Sequence, residues 1–276
     1  MAPVRNLLVP LGVGGALLLL FGLPVGKEHA DPGRRLRPGL IYREVPVPHP
    51  TAGSGFTLKV LEVDPAAFAL RVLDARQDEQ PTLTSRQYVE RRRALAAING
   101  GFFLESLEPL GLLVCDGKER NPLRKADWGI FMLAGGKPRI IHTKDYAASG
   151  EIEQALQVGP RLVVEGQPLK LKPQTARRSA IGIDAAGHVH VIVSIEGEPE
   201  AQGFADALAS PVAKGGLGLA FALNLDGGPS TQLYAKIDDF EVDVPGGWAV
   251  PDAIGIFERE GASGAPLAGA SPTPVR

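Results

Sequence analysis

Short apolar runs, several of them alternating, are cut throughout this chain by glycine and proline. The 276 residues hold 34 glycines and 24 prolines. These residues set turn angles or remove a backbone N–H, so the punctuation favours many strands and turns over a bundle of long helices. Phe56–Val63 is the clearest run, with the period-two alternation of a half-buried strand. Asp64-Pro65 turns the chain, and residues 68–73 read as the second strand of a hairpin. Residues 41–47 read as an edge strand limited by Pro46 and Pro48. Further strands are expected at 111–115, 128–133, 137–142 and 161–164. A strand led by residues 176–184 and its hairpin partner at 187–195 would place Val189, Val191 and Val193 on one face. His188, His190, Ile192 and Ser194 would lie on the other.

Helices are few. Thr84 or Ser85 can cap one running to about Ala97, with Tyr88, Leu95 and Ile98 on one face and the run Arg91-Arg92-Arg93 in solvent. Residues 203–209 read as a second, extending as far as Ala213. Residues 152–158 fit a short helix or an extended link.

Composition narrows the function classes. Apolar content of 44% and charged content of 22% suit a globular protein with a sizeable core. The net charge of -2 supplies no basic field for nucleic acid. The single cysteine, Cys115, excludes an intrachain disulfide and a cysteine-built metal site, and it reads as a buried thiol. There is no His-Glu-x-x-His, and His190 has no second histidine at a facing i+4 spacing, so a zinc site is not expected.

The chain divides into four parts. Residues 1–26 carry an uncharged apolar stretch, 7–25, that fits an export signal or an N-terminal membrane anchor. Either reading places the protein outside the cytoplasm: periplasmic, extracellular or membrane-anchored. Residues 27–39 read as a linker, 40–259 as the folded domain, and 260–276 as a disordered tail with too little apolar bulk to fold.

Ala222 to Tyr234 holds the stretch that packing alone explains least. An apolar run breaks at Asp226-Gly227-Gly228-Pro229, passes Ser230 and Thr231, and resumes at Gln232-Leu233-Tyr234. Asp-Gly is a hairpin signal, yet a carboxylate, two glycines and two hydroxyls also suit a ligand site. Successive N–H groups at such glycines can form an anion-binding concavity. Asn99-Gly100-Gly101-Phe102-Phe103 offers a second tight passage, read either as a helix C-cap or as a place where the Asn99 amide reaches a ligand.

Four motifs stand in order: Asn99-Gly-Gly-Phe-Phe103, Gly159-Pro-Arg-Leu162, Arg178-Ser-Ala-Ile-Gly182 and Asn224-Leu-Asp-Gly-Gly-Pro-Ser-Thr231. Together they resemble the phosphodiester glycosidase family over about residues 55–258. The resemblance implies an α+β fold: one domain with extensive mixed, largely antiparallel β-sheet and a few packed helices. It also implies cleavage of a sugar–phosphodiester. Pro229 stands where family members often carry a third glycine, which removes one N–H from any anion nest.

Such a reaction needs a positive group for phosphate, a carboxylate near the anomeric carbon and donors for hydroxyls. Arg178 suits the phosphate through its bidentate fork. Asp226 is the candidate carboxylate, as nucleophile, cation stabiliser or base, and Asn99 is the candidate for orienting a sugar hydroxyl. Gly100, Gly101, Gly227, Gly228, Ser230 and Thr231 are the candidate substrate-binding positions. Glycosidases commonly use a carboxylate pair, for which Asp252 and Glu196 are the available partners. Arg178 could instead pair with Asp226, and Asp226 could hold a divalent cation. A phosphosugar or cell-envelope glycan is the expected partner. The alternatives are a glycan-binding or envelope-assembly module and a metal-dependent phosphodiesterase acting at phosphorus.

Overall fold

The structure, a computed structural model, describes residues 33–48 and 55–259. The expected export segment, the first part of the linker and the tail at 260–276 lie outside the described residues. The chain enters through β1 (Arg34–Arg37), β2 (Leu40–Val47) and β3 (Phe56–Val63). β1 falls inside the stretch read as a linker. Its arginines find carboxylates remote in sequence, Arg34 with Asp239 at 3.1 Å and Arg37 with Asp238 at 2.7 Å. Local composition could not show those partners.

β4 (Phe68–Asp74) does not form a hairpin with β3. The Asp64-Pro65 turn, closed by Phe68 N–H to the Asp64 carbonyl at 3.0 Å, carries the chain into another sheet. Both strands then face one core, β3 through Leu61 and Val63 and β4 through Leu70 and Val72.

α1 (Ser85–Arg92) begins in a capping box between Thr84 and Gln87. It stops at Arg93 in the left-handed conformation, short of the expected end at Ala97. β5 (Ala96–Asn99) follows at once, all four residues buried. Leu95 and Ile98 therefore do not share a helical face with Tyr88. β5 gains ladder bonds on both sides, and this tertiary pairing overrides the helical preference of its alanines.

β6 (Leu113–Cys115), β7 (Lys118–Asn121), β8 (Gly129–Ala134), β9 (Lys137–His142) and β10 (Ile152–Val158) form one sheet in the order β7-β6-β10-β8-β9. Residues 152–158 are thus a central strand. Next come β11 (Arg161–Val164), β12 (Gln167–Pro168), β13 (Ser179–Asp184) and β14 (Val189–Ile195). After α2 (Ala201–Ala209) the chain ends in β15 (Leu219–Asn224), β16 (Leu233–Ile237), β17 (Phe240–Val244) and β18 (Asp252–Glu258).

The largest sheet runs β1-β2-β3-β14-β13-β15-β11-β12, and a third runs β17-β16-β5-β18-β4. Every strand pairing among the described residues is antiparallel, so the expected mixed component is absent from them. The three sheets enclose one core that takes Val191 from the first, Phe131 from the second and Ile254 from the third. The expected alternation of β14 holds: Val189, Val191 and Val193 enter this core, and Ile192 faces α2. α2 covers the back of the large sheet through Phe204 and Leu208, while α1 covers the third sheet through Tyr88 and Val89.

Phe204 is fully buried between α2 and that sheet. Phe204→Ala is expected to cost about 3–5 kcal/mol through lost burial and the cavity left behind. Urea denaturation would read this as a lower midpoint at unchanged slope.

Candidate active site

β15 and β16 follow one another in sequence but belong to different sheets. Residues 225–232 therefore cross between sheets and are not the turn of a hairpin. The crossing tightens into a 3-10 turn at Gly228–Ser230, with Gly228 at φ +56°. A side chain is strained in that conformation, which accounts for glycine there.

Asn99, at the end of β5, holds the crossing in place. Its side-chain Nδ2 donates to the Asp226 carbonyl at 2.7 Å. Its Oδ1 accepts from Ser179 Oγ at 2.7 Å and from the Gln232 N–H at 3.1 Å. Asn99 is fully buried, and its amide serves the protein's own backbone. The amide expected from the sequence to orient a sugar hydroxyl is bonded here to Asp226, Ser179 and Gln232. The helix C-cap reading fails, because Asn99 ends a strand.

Gly100 lies between two carboxylate-bearing residues. Its carbonyl accepts the Asp226 N–H at 3.0 Å, and its N–H donates to the Asp252 carbonyl at 3.0 Å. A Cβ at Gly100 would stand 2.0 Å from Asp252 Oδ1, so only glycine fits. Gly101 donates its N–H to the same Oδ1 at 2.6 Å. The glycine pair thus serves the approach of Asp252, and neither N–H is left for substrate.

Asp252 is 1% exposed, and its Oδ2 has no partner among the described residues. Burial pushes its carboxyl up to about 7, helped by the charges of Asp74 and Asp226 and opposed by the Gly101 N–H and Arg76. Near neutral pH it holds a proton for much of the time. Asp226 is partly exposed. Burial raises its carboxyl too, against hydrogen bonds from Ser230 and the Gly227 N–H. The two carboxyls are distinguished by access: only Asp226 can meet a substrate.

The glycine nest is not open. Gly227 N–H turns back to Asp226 Oδ1 at 3.1 Å, and Gly228 N–H donates to the Arg177 carbonyl at 2.8 Å. Ser230 and Thr231 are fully buried. Ser230 acts through Asp226 and accepts Trp248 Nε1–H at 2.8 Å. The Thr231 hydroxyl has no partner among the described residues.

Arg178 leads into β13, beside Ser179. It is 4% exposed, and burial lowers its pKa, with no carboxylate acting on it. The ion pair with Asp226 weighed from the sequence does not form. One guanidinium N–H reaches the Gln174 carbonyl, and Nε has no partner among the described residues. Charged arginine buried without a counter-charge is costly. Exposed Lys170 and Lys172 and partly exposed Arg177 lie on the segment that leads to it.

Glu196 is not brought to this site. It accepts from Thr57 Oγ1 at 2.8 Å and lines a separate cavity of about 880 Å³ with Arg43, Phe56 and Leu217. His190 pairs with Asp184 at 3.1 Å, at the opposite end of β13 from Arg178. Cys115 is buried and its thiol is pushed up to about 12. Among the described residues, no group of three or more His, Cys, Asp or Glu side chains is arranged to hold a metal ion. No described helix is long and apolar enough to cross a membrane.

The profile of the phosphodiester glycosidase family matches residues 92–257, more than half the chain. The chain belongs to this family. Its match begins in α1 and takes in β5, the crossing and Asp252. The uncharacterized protein YigE of Escherichia coli (strain K12) is 32% identical over 154 residues. That match spans 51% of this chain and 58% of YigE, less than two thirds of the relative's length. Among solved structures, the fold resembles the catalytic domain of zebrafish N-acetylglucosamine-1-phosphodiester alpha-N-acetylglucosaminidase, auto-inhibited by its pro-peptide. The TM-score is 0.63 at 16% identity, covering 81% of this chain and 85% of that one. A protein from Synechocystis matches with a TM-score of 0.58 at 18% identity, covering 80% of this chain and 62% of its own.

Sequence reasoning missed the role of Ser179 as a clamp on Asn99, and it passed over Trp248. It named Asp252 only as a partner carboxylate, without its burial. Two expectations follow. Asn99→Ala strands the Ser179 hydroxyl, the Asp226 carbonyl and the Gln232 N–H, and should cost about 2–4 kcal/mol. Thermal unfolding would show the loss. Asp252 has a folded pKa above its unfolded value, so the stability it contributes is complete below the ordinary carboxyl range. That stability falls as pH rises through about 7, where the buried group must ionise. Asp252→Asn should flatten the decline in denaturation midpoint between pH 4 and 8.

Proposed function

We propose that this chain is an exported hydrolase that cleaves a sugar–phosphodiester bond, of the glycosyl-1-phosphate type or a related envelope or exopolysaccharide linkage. The observation that carries this reading is Arg178, a nearly buried guanidinium with an unpartnered Nε and no carboxylate acting on it. It stands beside Ser179, which the Asn99 clamp ties to Asp226. Family membership supports the reaction class, and the apolar stretch at 7–25 supports export.

A phosphodiester carries one negative charge, which matches the single charge of the buried Arg178 guanidinium. Its oxygen replaces the neutral Gln174 carbonyl as the partner of Arg178, because a charged acceptor makes the stronger bond with a guanidinium. Lys170, Lys172 and Arg177 make the approach positive. The anomeric carbon gains positive charge as the bond to the phosphate oxygen breaks, and Asp226 supplies the opposing charge. Phosphate is a weak base and departs without strong help from an acid. This suits a site where the second carboxyl, Asp252, is buried out of reach of substrate. The charge of Asp226 helps hold a proton on Asp252, and Asp252 in turn fixes the Gly101 N–H.

Hydrolysis of N-acetylglucosamine-1-phosphodiesters and of cell-envelope glycans tests the reading. Arg178→Ala and Asp226→Asn should each lower kcat/KM by about 10²–10³-fold, the scale expected for a transition-state electrostatic contact. Equal activity in all three proteins removes both residues from the mechanism.

A further inference from the structure

Trp248 is 51% exposed, the most exposed of the large apolar side chains among the described residues. Its position is not loose. The ring edge is pinned by Nε1–H to Ser230 Oγ at 2.8 Å, and its carbonyl accepts Gln232 Nε2–H at 3.0 Å. The preceding Gly247 donates its N–H to the Pro229 carbonyl at 2.7 Å. A Cβ at Gly246 would meet Gln232 Nε2 at 2.8 Å and the Pro229 carbonyl at 3.0 Å, so the segment lies flat against the crossing. Arg177 Nη2–H holds the Pro245 carbonyl at 3.2 Å on the other side. The indole is thus fixed at its polar edge while much of its ring is left to solvent. Ser230, which accepts the indole N–H, also hydrogen-bonds the Asp226 carboxylate. One hydroxyl separates the ring from that carboxylate.

Trp128, the other tryptophan, is used differently. It packs edge-on to Phe102 with ring centroids 5.2 Å apart. A Cβ at Gly159 would meet it at 2.8 Å.

We propose that Trp248 is the stacking platform of a sugar subsite, taking one face of a pyranose ring next to Asp226. An aromatic face is electron-rich and apolar, and it suits the polarised C–H bonds on a sugar face. A platform held by hydrogen bonds before binding loses little freedom when the ligand arrives. The inference rests on the phosphosugar reading of the Asp226 site and adds the surface that recognises the sugar.

The test uses the full chain. A Trp128→Phe protein leaves Trp248 as the only tryptophan. It is titrated with gluco-, galacto- and mannopyranosides, their N-acetyl forms, N-acetylglucosamine-1-phosphate and inorganic phosphate. A change in indole fluorescence with one or more sugars, and none with inorganic phosphate, is expected. Calorimetry on otherwise wild-type protein should show at least a tenfold loss of sugar affinity in Trp248→Ala. Trp248→Phe, which keeps a ring but no N–H, should stay within about threefold of wild type. With a cleaved substrate, Trp248→Ala should raise KM tenfold or more and leave kcat within about threefold.

Three results would overturn the proposal: no sugar binds, Trp248→Ala binds as wild type does, or Phe and Ala lose affinity equally. The last would assign the effect to the bond with Ser230. If sugars bind through Trp248 but no substrate is cleaved, the hydrolase reading fails and the subsite stands. If substrate is cleaved and Trp248→Ala keeps its KM, the subsite fails alone.

Discussion

One buried amide holds the centre of this protein together. Asn99 ends β5 in one sheet, and its side chain bonds to Ser179 at the start of β13 in another. It also bonds to both ends of the segment that crosses between them. A hydrogen bond in a dry interior is strong, and a group left without one is expensive. The three bonds of Asn99 therefore set the separation of the two sheets and the path of the crossing. The segments that carry Arg178 and Asp226 run side by side, with the Leu225 N–H on the Ser179 carbonyl at 2.9 Å and the Gly228 N–H on the Arg177 carbonyl at 2.8 Å, although 48 positions separate the two residues in sequence.

The charges follow from the same geometry. Arg178 is buried, reaches the Gln174 carbonyl and has no carboxylate acting on it. Asp252 is buried by the close approach that Gly100 permits. Asp226 alone remains partly open. Arg178 is thus a buried cation with no carboxylate acting on it, Asp226 an accessible carboxylate and Asp252 a carboxyl that keeps its proton toward neutral pH. That uneven distribution suits a monoanionic substrate whose carbon centre becomes positive as it reacts.

The crossing is backed by a second group of bonds that involve no charge. Gln232 receives the Ser85 N–H at the start of α1 through Oε1 at 2.7 Å and reaches the Trp248 carbonyl through Nε2. One side chain thereby couples a helix end, the crossing and the exposed indole. The glycines at 246 and 247 let that segment lie against Pro229.

The sequence by itself determined the parts that depend on local chemistry. Alternation placed β2, β3 and β14 of the large sheet, including which face of β14 meets the main core, because side-chain direction in a strand is local. The Thr84 capping signal located the start of α1 for the same reason. The ordered motifs marked the stretches around Asn99, Arg178 and Asp226. Only the tertiary structure decided which strands pair, which ends helices such as α1, and what each polar group meets. Asp64-Pro65 reads as a hairpin turn and Asp226-Gly227 carries a hairpin signal, yet each carries the chain between sheets, since a turn sequence does not encode the partner of the strand it releases. The Asn99 amide, the glycine N–H groups and the Ser230 hydroxyl could have faced a ligand as well as the protein. Their partners come from residues up to 133 positions away, and burial, a property of the whole fold, settled which way each one turned.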